Sequence, residues 1–211
     1  MIFDCETNGL PDWKSPSDAL HQPHPVQFAA LLIDPNTIGE VQAINHIVKP
    51  DGWTIPDEVA AIHGITTERA MDEGVPESFI TGLYLGLSSR STLRVGHNIN
   101  FDLRIMRIAL MRSGLSREDI EAREALPKFC TMNEASKIMK MAPTDKMMAA
   151  GITWSKNPKL SEAYKHFFNE EMTGAHDAIV DVRATSRLYF HLMDLQKPKT
   201  DPKQSSAASI F

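Results

Sequence analysis

Apolar residues crowd the start of the chain at Ile2, Phe3 and Cys5, and two carboxylates, Asp4 and Glu6, interrupt them one residue apart. Such a run reads as a buried strand, with Thr7-Asn8-Gly9 as its exit turn. Residues two apart on a strand point to the same face, so Asp4 and Glu6 are expected side by side. A Pro-, Ser- and His-containing loop over 11–25 follows. The apolar run 26–34, the turn PNTIGE and the segment 41–50 then predict two further strands, which makes an antiparallel meander. Residues 55–70 read as two short helical turns broken at Gly64. Pro76 opens a helix to about Leu87, with Phe79, Leu83 and Leu87 as its inner face.

Beyond that point strands and helices alternate. TLRVGHN (92–98) and KFCT (128–131) are expected strands, and helices are expected over 101–114, 132–141 and 159–168. A final helix follows Gly174, from about His176 to Leu195, with Ala178, Val182, Thr185, Tyr189 and Leu192 inward. Strands first, then alternation, predicts one α/β domain over 1–195 with a mixed central sheet flanked by helices. The remainder, 196–211, is polar and Pro-containing and is expected to be disordered.

With 211 residues the chain can bury a substantial core, and its net charge of −5 supplies no overall basic field for gripping long duplex nucleic acid. A metal-dependent site escapes that exclusion, because the ion brings its own positive charge. The two cysteines, Cys5 and Cys130, lack CxxC or zinc-site spacing and read as free, buried thiols of a cytoplasmic protein. No stretch reads as a secretion signal or a bilayer span, so no membrane partner is expected.

Two more acids stand where chemistry could use them. Asp102, in GHNINFDLRIM, lies where an expected strand turns into a helix, the place where sites of α/β sheets gather. Asp181, in GAHDAIVDVRAT, follows His176 by five residues, roughly 140° on an ideal helix. His176 is therefore expected at or before the first turn, leaning over the site. Four convergent carboxylates suit Mg²⁺ or Mn²⁺, and two such ions suit phosphodiester cleavage. A histidine that is neutral near pH 7 is the natural base for the attacking water.

The ordered motifs FDCETNG, IHGIT, GHNINFD and GAHDAIVD resemble those of the DnaQ-like (DEDDh) 3′→5′ exonucleases, and HPVQFAALLID is similar to the exonuclease I branch. The resemblance spans about residues 1–194. It implies an RNase H-like fold, Asp4, Glu6, Asp102 and Asp181 as ligands of two Mg²⁺ or Mn²⁺ ions, and His176 as the catalytic histidine. It also implies substrate contacts from Thr7, from the segment from His63 to Thr66, and from Asn98 and Phe101. His21 and His24 in the long loop are expected to be solvated, and the loop itself to be a lid or inert.

The expected reaction is 3′→5′ removal of nucleoside 5′-monophosphates from single-stranded or frayed DNA, with weak affinity for long DNA and distributive trimming. RNA is the alternative substrate, and a non-catalytic nucleic-acid-binding or replisome scaffold protein the alternative class. The ending ASIF partly resembles peptides that dock on sliding clamps. A clamp or a polymerase is the partner class this suggests.

Overall fold

The computed structural model describes residues 1–197. Three antiparallel strands open the chain: β1 (Ile2–Thr7), β2 (Pro25–Asp34) and β3 (Gly39–Ile47). The helices α1 (Asp57–His63), α2 (Thr67–Glu73) and α3 (Glu77–Ser89) follow. Next come β4 (Arg94–Gly96), α4 (Ile99–Arg112), α5 (Arg117–Glu124), β5 (Lys128–Cys130) and α6 (Thr131–Met139), then α7 (Asp145–Ala149), α8 (Leu160–Phe168) and α9 (Ala178–Gln196). The sheet order is β3-β2-β1-β4-β5, with β1, β4 and β5 parallel to one another. This is the expected mixed sheet flanked by helices. Among the described residues no helix is long and apolar enough to cross a membrane.

Alternation along β1 sorts the molecule into two faces. Phe3 and Cys5 join Phe28, Ala30 and Leu32 against Tyr84 of α3 and Ile105 and Met106 of α4. Phe3, Phe28 and Tyr84 meet as tilted and edge-on rings with centroids 5.5–6.3 Å apart. Burying each such ring contributes about 1.5–3 kcal/mol. Ile2 faces the other way with Ala29 and Leu31, against Ala178 and Val182 of α9. Helices α6 and α8 then cover α9 through Ala135, Ala163, Leu188 and Leu192.

Several expectations are corrected. In α3 the buried stripe is Ile80, Tyr84 and Leu87, while Phe79 is exposed and edges onto His46 of β3. In α9 Leu188, rather than the partly buried Tyr189, completes the inner stripe. The last helix begins at Ala178, two residues after His176, and it includes Gln196. Cys130 is only half-buried. The tail beyond 197, with its ASIF ending, lies outside the described residues. Two helices went unread: α5 is almost wholly charged, with Ile120 its one buried apolar residue, and α7 buries nothing.

Loop 11–25 is anchored in place. The amide of buried Gln22 donates to the carbonyls of Asp12, Ser15 and Pro16. From α4, Arg104 reaches across to the Ser17 hydroxyl and to the carbonyls of Asp12 and Ser15. His21 is exposed as expected, but His24 is not solvated. It stacks on Trp53 at 4.6 Å and contacts Glu77 at 2.7 Å.

Gly74 closes α2 where its own backbone meets that of Lys49. A Cβ there would lie 2.3 Å from the Ala70 carbonyl oxygen and 2.6 Å from the Lys49 nitrogen, whereas one at Gly82, in α3, would meet nothing. Gly74→Ala is therefore expected to destabilise the protein by about 1–3 kcal/mol through overpacking. Gly82→Ala is expected to stabilise it by about 0.5–1 kcal/mol. Urea unfolding of the two variants checks the opposite signs.

Candidate active site

The pleat that buries Phe3 and Cys5 sends Asp4 and Glu6 to the α9 face, each partly buried. Opposite them on β2, in register, stand Ala29 and Gln27. The small Ala29 lets α9 close over this end of the sheet, and Asp181 arrives on its first turn. Asp102 comes from the other side of the sheet. The β4 strand ends at Gly96, where a Cβ would crowd Ile99 at 3.1 Å. The chain then turns at Asn98 in the left-handed region (φ 66°) and enters α4. Asp102 Oδ1 accepts the Cys5 amide at 3.0 Å, so a carboxylate occupies the ladder position just past the end of β4. The four acids from β1, α4 and α9 thus lie near enough for the charges of Asp102, Asp181 and Glu6 to act on Asp4.

His176 sits before α9 with φ 70°, a strained conformation for a residue with a side chain. Its amide donates to Asp181 Oδ2 at 3.2 Å. Its ring is exposed, and a ring nitrogen lies within 4.8 Å of carboxylate oxygens of both Glu6 and Asp181. Asp181 Oδ1 is buried and has no hydrogen-bond partner.

The electrostatics follow from crowding. Burial, then the charges of Asp102, Asp181 and Glu6, push Asp4 well above the usual carboxylate range. Burial raises Asp102 likewise, against the hydrogen bond from Cys5. Glu6 is pushed up to about 7 by burial and then by Asp181 and Asp177, and Asp181 to about 6, chiefly by burial. Among the described residues no lysine or arginine forms an ion pair with any of the four. An anion cluster with an orphaned buried oxygen and, among the described residues, no lysine or arginine paired to it fits a divalent metal.

The other expected residues divide. Thr7 is buried, its hydroxyl donating to the Gly9 carbonyl at 2.8 Å. His63 is buried beside Thr7, and burial, with the charge of His176, lowers its pKa. Its Nδ1 accepts the Ile65 amide at 3.1 Å, and Nε2, on the Thr7 side, makes no hydrogen bond of normal geometry. Thr66 is accounted for locally: it caps α2 by accepting the Arg69 amide. Asn98 is exposed and Phe101 half-buried on the turn that carries Asp102.

Sequence reading missed three supports. Gln27 donates to Asp177 Oδ1 (3.0 Å) and Asn45 Oδ1 (2.9 Å) and accepts the Ala178 amide (3.1 Å), which pins the start of α9 to β2. Asp177 caps α9 through the Ile179 amide. His97 bridges Thr131 and the Pro158 carbonyl, and its burial lowers its pKa. The one signal for Gln27 was a polar residue inside an otherwise apolar strand.

A family model described as an exonuclease matches residues 1–189. Comparison with curated protein sequences found no match. Among solved structures, an exonuclease I from Methylocaldum szegediense is 23% identical with a TM-score of 0.70, over 94% of this chain and 40% of that one. The zinc-bound form of an E. coli exonuclease I–single-stranded DNA complex is 20% identical with a TM-score of 0.69, over 93% of this chain and 40% of that one. E. coli exonuclease I with a dT13 oligonucleotide is 21% identical with a TM-score of 0.66, over 89% and 39%. The chain thus spans about two fifths of the length of these proteins and shares their fold.

The raised carboxyls carry a sign for stability. Their folded pKa values lie above those of the unfolded chain, so the folded protein binds more protons. The associated stability is full below the ordinary values of 4.5 and 3.8 and is lost as pH rises through about 6 and 7. In chelator, the melting temperature of Glu6→Gln minus that of the wild type is expected to increase across this window. A difference that stays constant from about pH 4 to about pH 8 would contradict the assignment.

Proposed function

Since the chain belongs to this exonuclease family, we propose that it is a metal-dependent 3′→5′ exonuclease acting on single-stranded or frayed DNA ends and releasing nucleoside 5′-monophosphates. The observation that carries the reading is the meeting of Asp4, Glu6, Asp102 and Asp181 with the exposed ring of His176 at one end of the sheet. The single-stranded DNA in the solved exonuclease I complexes supports the choice of substrate class.

In this reading Asp4, Glu6, Asp102 and Asp181 would hold two Mg²⁺ or Mn²⁺ ions. Bound there, the ions would supply Lewis acidity, offsetting charge on the carboxylates and on the reacting phosphate. The rest falls to side chains of this chain. Water attacks the terminal phosphorus in line, the bond from phosphorus to the preceding 3′ oxygen breaks, and the shortened strand leaves with a 3′-hydroxyl. His176 takes the proton of the water. Its ring is exposed on a short turn, so it can swing over the scissile phosphate, while its backbone amide keeps Asp181 oriented. Thr7 and His63, beside the carboxylates, would flank the terminal nucleotide. A pocket at a strand end accepts one unstacked nucleotide, which favours single strands.

A 5′-labelled oligonucleotide ladder on single-stranded DNA, duplex DNA and single-stranded RNA tests the reading. A 3′→5′ ladder is expected on single-stranded DNA with Mg²⁺, none in excess chelator and none from Asp102→Asn. Full cleavage in chelator would overturn the metal assignment, and faster cleavage of RNA the substrate class. His176→Ala is expected to lower turnover about 10²–10⁴-fold and to remove the acid limb of the rate profile. An unchanged acid limb in that variant would assign the base to another group.

A further inference from the structure

The outer face of α4 carries Asn100, Leu103, Arg104, Arg107 and Met111, at helical spacing, opposite the buried Asp102, Ile105, Met106 and Ala109. Two clefts of about 230 and 320 Å³ share Arg104 and Arg107 on this face. Lys128 joins them in the first cleft, and Lys14 and Arg117 in the second. Among the described residues no carboxylate lines either cleft. Lys14, Arg117 and Lys128 form no ion pair among the described residues. Three acceptors of Arg104, the Ser17 hydroxyl and the Asp12 and Ser15 carbonyls, are uncharged, so its charge persists beside Arg107, with the Asp12 carboxylate as a partial counterweight.

A second feature ties this face to the site. The segment leaving Thr7 runs through Leu10, 85% exposed, to Trp13, 59% exposed, before it reaches Lys14. The Trp13 ring lies 5.9 Å from the Arg104 guanidinium. Exposed apolar groups on an anchored loop, next to a row of cations, combine a stacking platform with a phosphate track. Resting on the exonuclease reading, we propose that Leu10, Trp13, Lys14, Arg104, Arg107 and Arg117 form a binding track for the sugar–phosphate backbone and bases of the single strand that leads away from the active site. Loop 11–25 thereby acts as a strand guide rather than a lid. An acidic peptide would satisfy the cations but would leave Trp13 and Leu10 without partners.

The test is equilibrium binding of fluorescein-labelled oligothymidylates of increasing length, in chelator, so that no turnover enters and failure of the catalytic reading is seen separately in the cleavage ladder. Affinity of the wild type is expected to rise with length and to fall steeply with salt. The exposed pair Lys14→Glu and Arg117→Glu should weaken binding of the longest oligomer at least about tenfold and reduce the slope of log affinity against log salt by roughly 1–2. Trp13→Ala should weaken it roughly five- to 150-fold. Lys14→Arg with Arg117→Lys should bind as the wild type does, which separates charge from a folding defect. Length-independent wild-type affinity, undiminished binding by the charge-reversed pair, or equal competition by a polyaspartate peptide would each overturn the proposal.

Discussion

The burial of four carboxylates together at one end of a sheet is the constraint around which this molecule is arranged. Burial first raises the pKa values of Asp4, Glu6, Asp102 and Asp181, and neighbouring carboxylates then add to the shift. A chain free to relax would let them part. Here they are held from three directions: by the pleat of β1, by the Cys5 amide on Asp102, and by the β2–α9 clamp through Gln27. None of these holds relies on a cation, so the anionic cluster keeps its geometry without one.

The same constraint explains the irregular backbone nearby. Asn98 and His176 both adopt left-handed conformations, and each stands just before a helix that delivers one of the acids. A regular entry would present those helices differently. Asparagine takes the left-handed region at modest cost, whereas a histidine there is uncommon. Its strain is offset by the hydrogen bond from its amide to Asp181. Position 176 thus holds Asp181 through its backbone while its ring stands exposed beside Glu6 and Asp181.

How much of this was legible in the sequence depended on how local each determinant was. Alternation over six residues of β1 revealed the shared face of Asp4 and Glu6, and spacing placed His176 at or before the first turn of its helix. The inner face of α3 was not legible. Phe79/Leu83 and Ile80/Tyr84 offer two overlapping apolar stripes, and only the ring cluster with Phe3 and Phe28 selects the second. His24 read as a loop histidine because its partners, Trp53, Glu77 and Arg112, lie 29 to 88 residues away in the chain. Gln27 stood out only as a polar residue in an apolar strand, because its role exists only once Glu6 stands opposite it and α9 has docked.

Net charge is silent about where on the surface the charges stand. A value of −5 describes the whole chain, but a polyanion meets one face at a time. Lys14, Arg104, Arg107, Arg117 and Lys128 come from a loop, two helices and an edge strand, and no window of sequence contains a basic run. Folding gathers them on the outer side of α4, while the inner side of that helix sends Asp102 into the acidic cluster. One helix therefore separates the two fields, anionic toward the sheet and cationic toward solvent. In the proposed reading a strand is drawn along the cationic side of this helix and delivered to the acidic cluster at the end of the sheet.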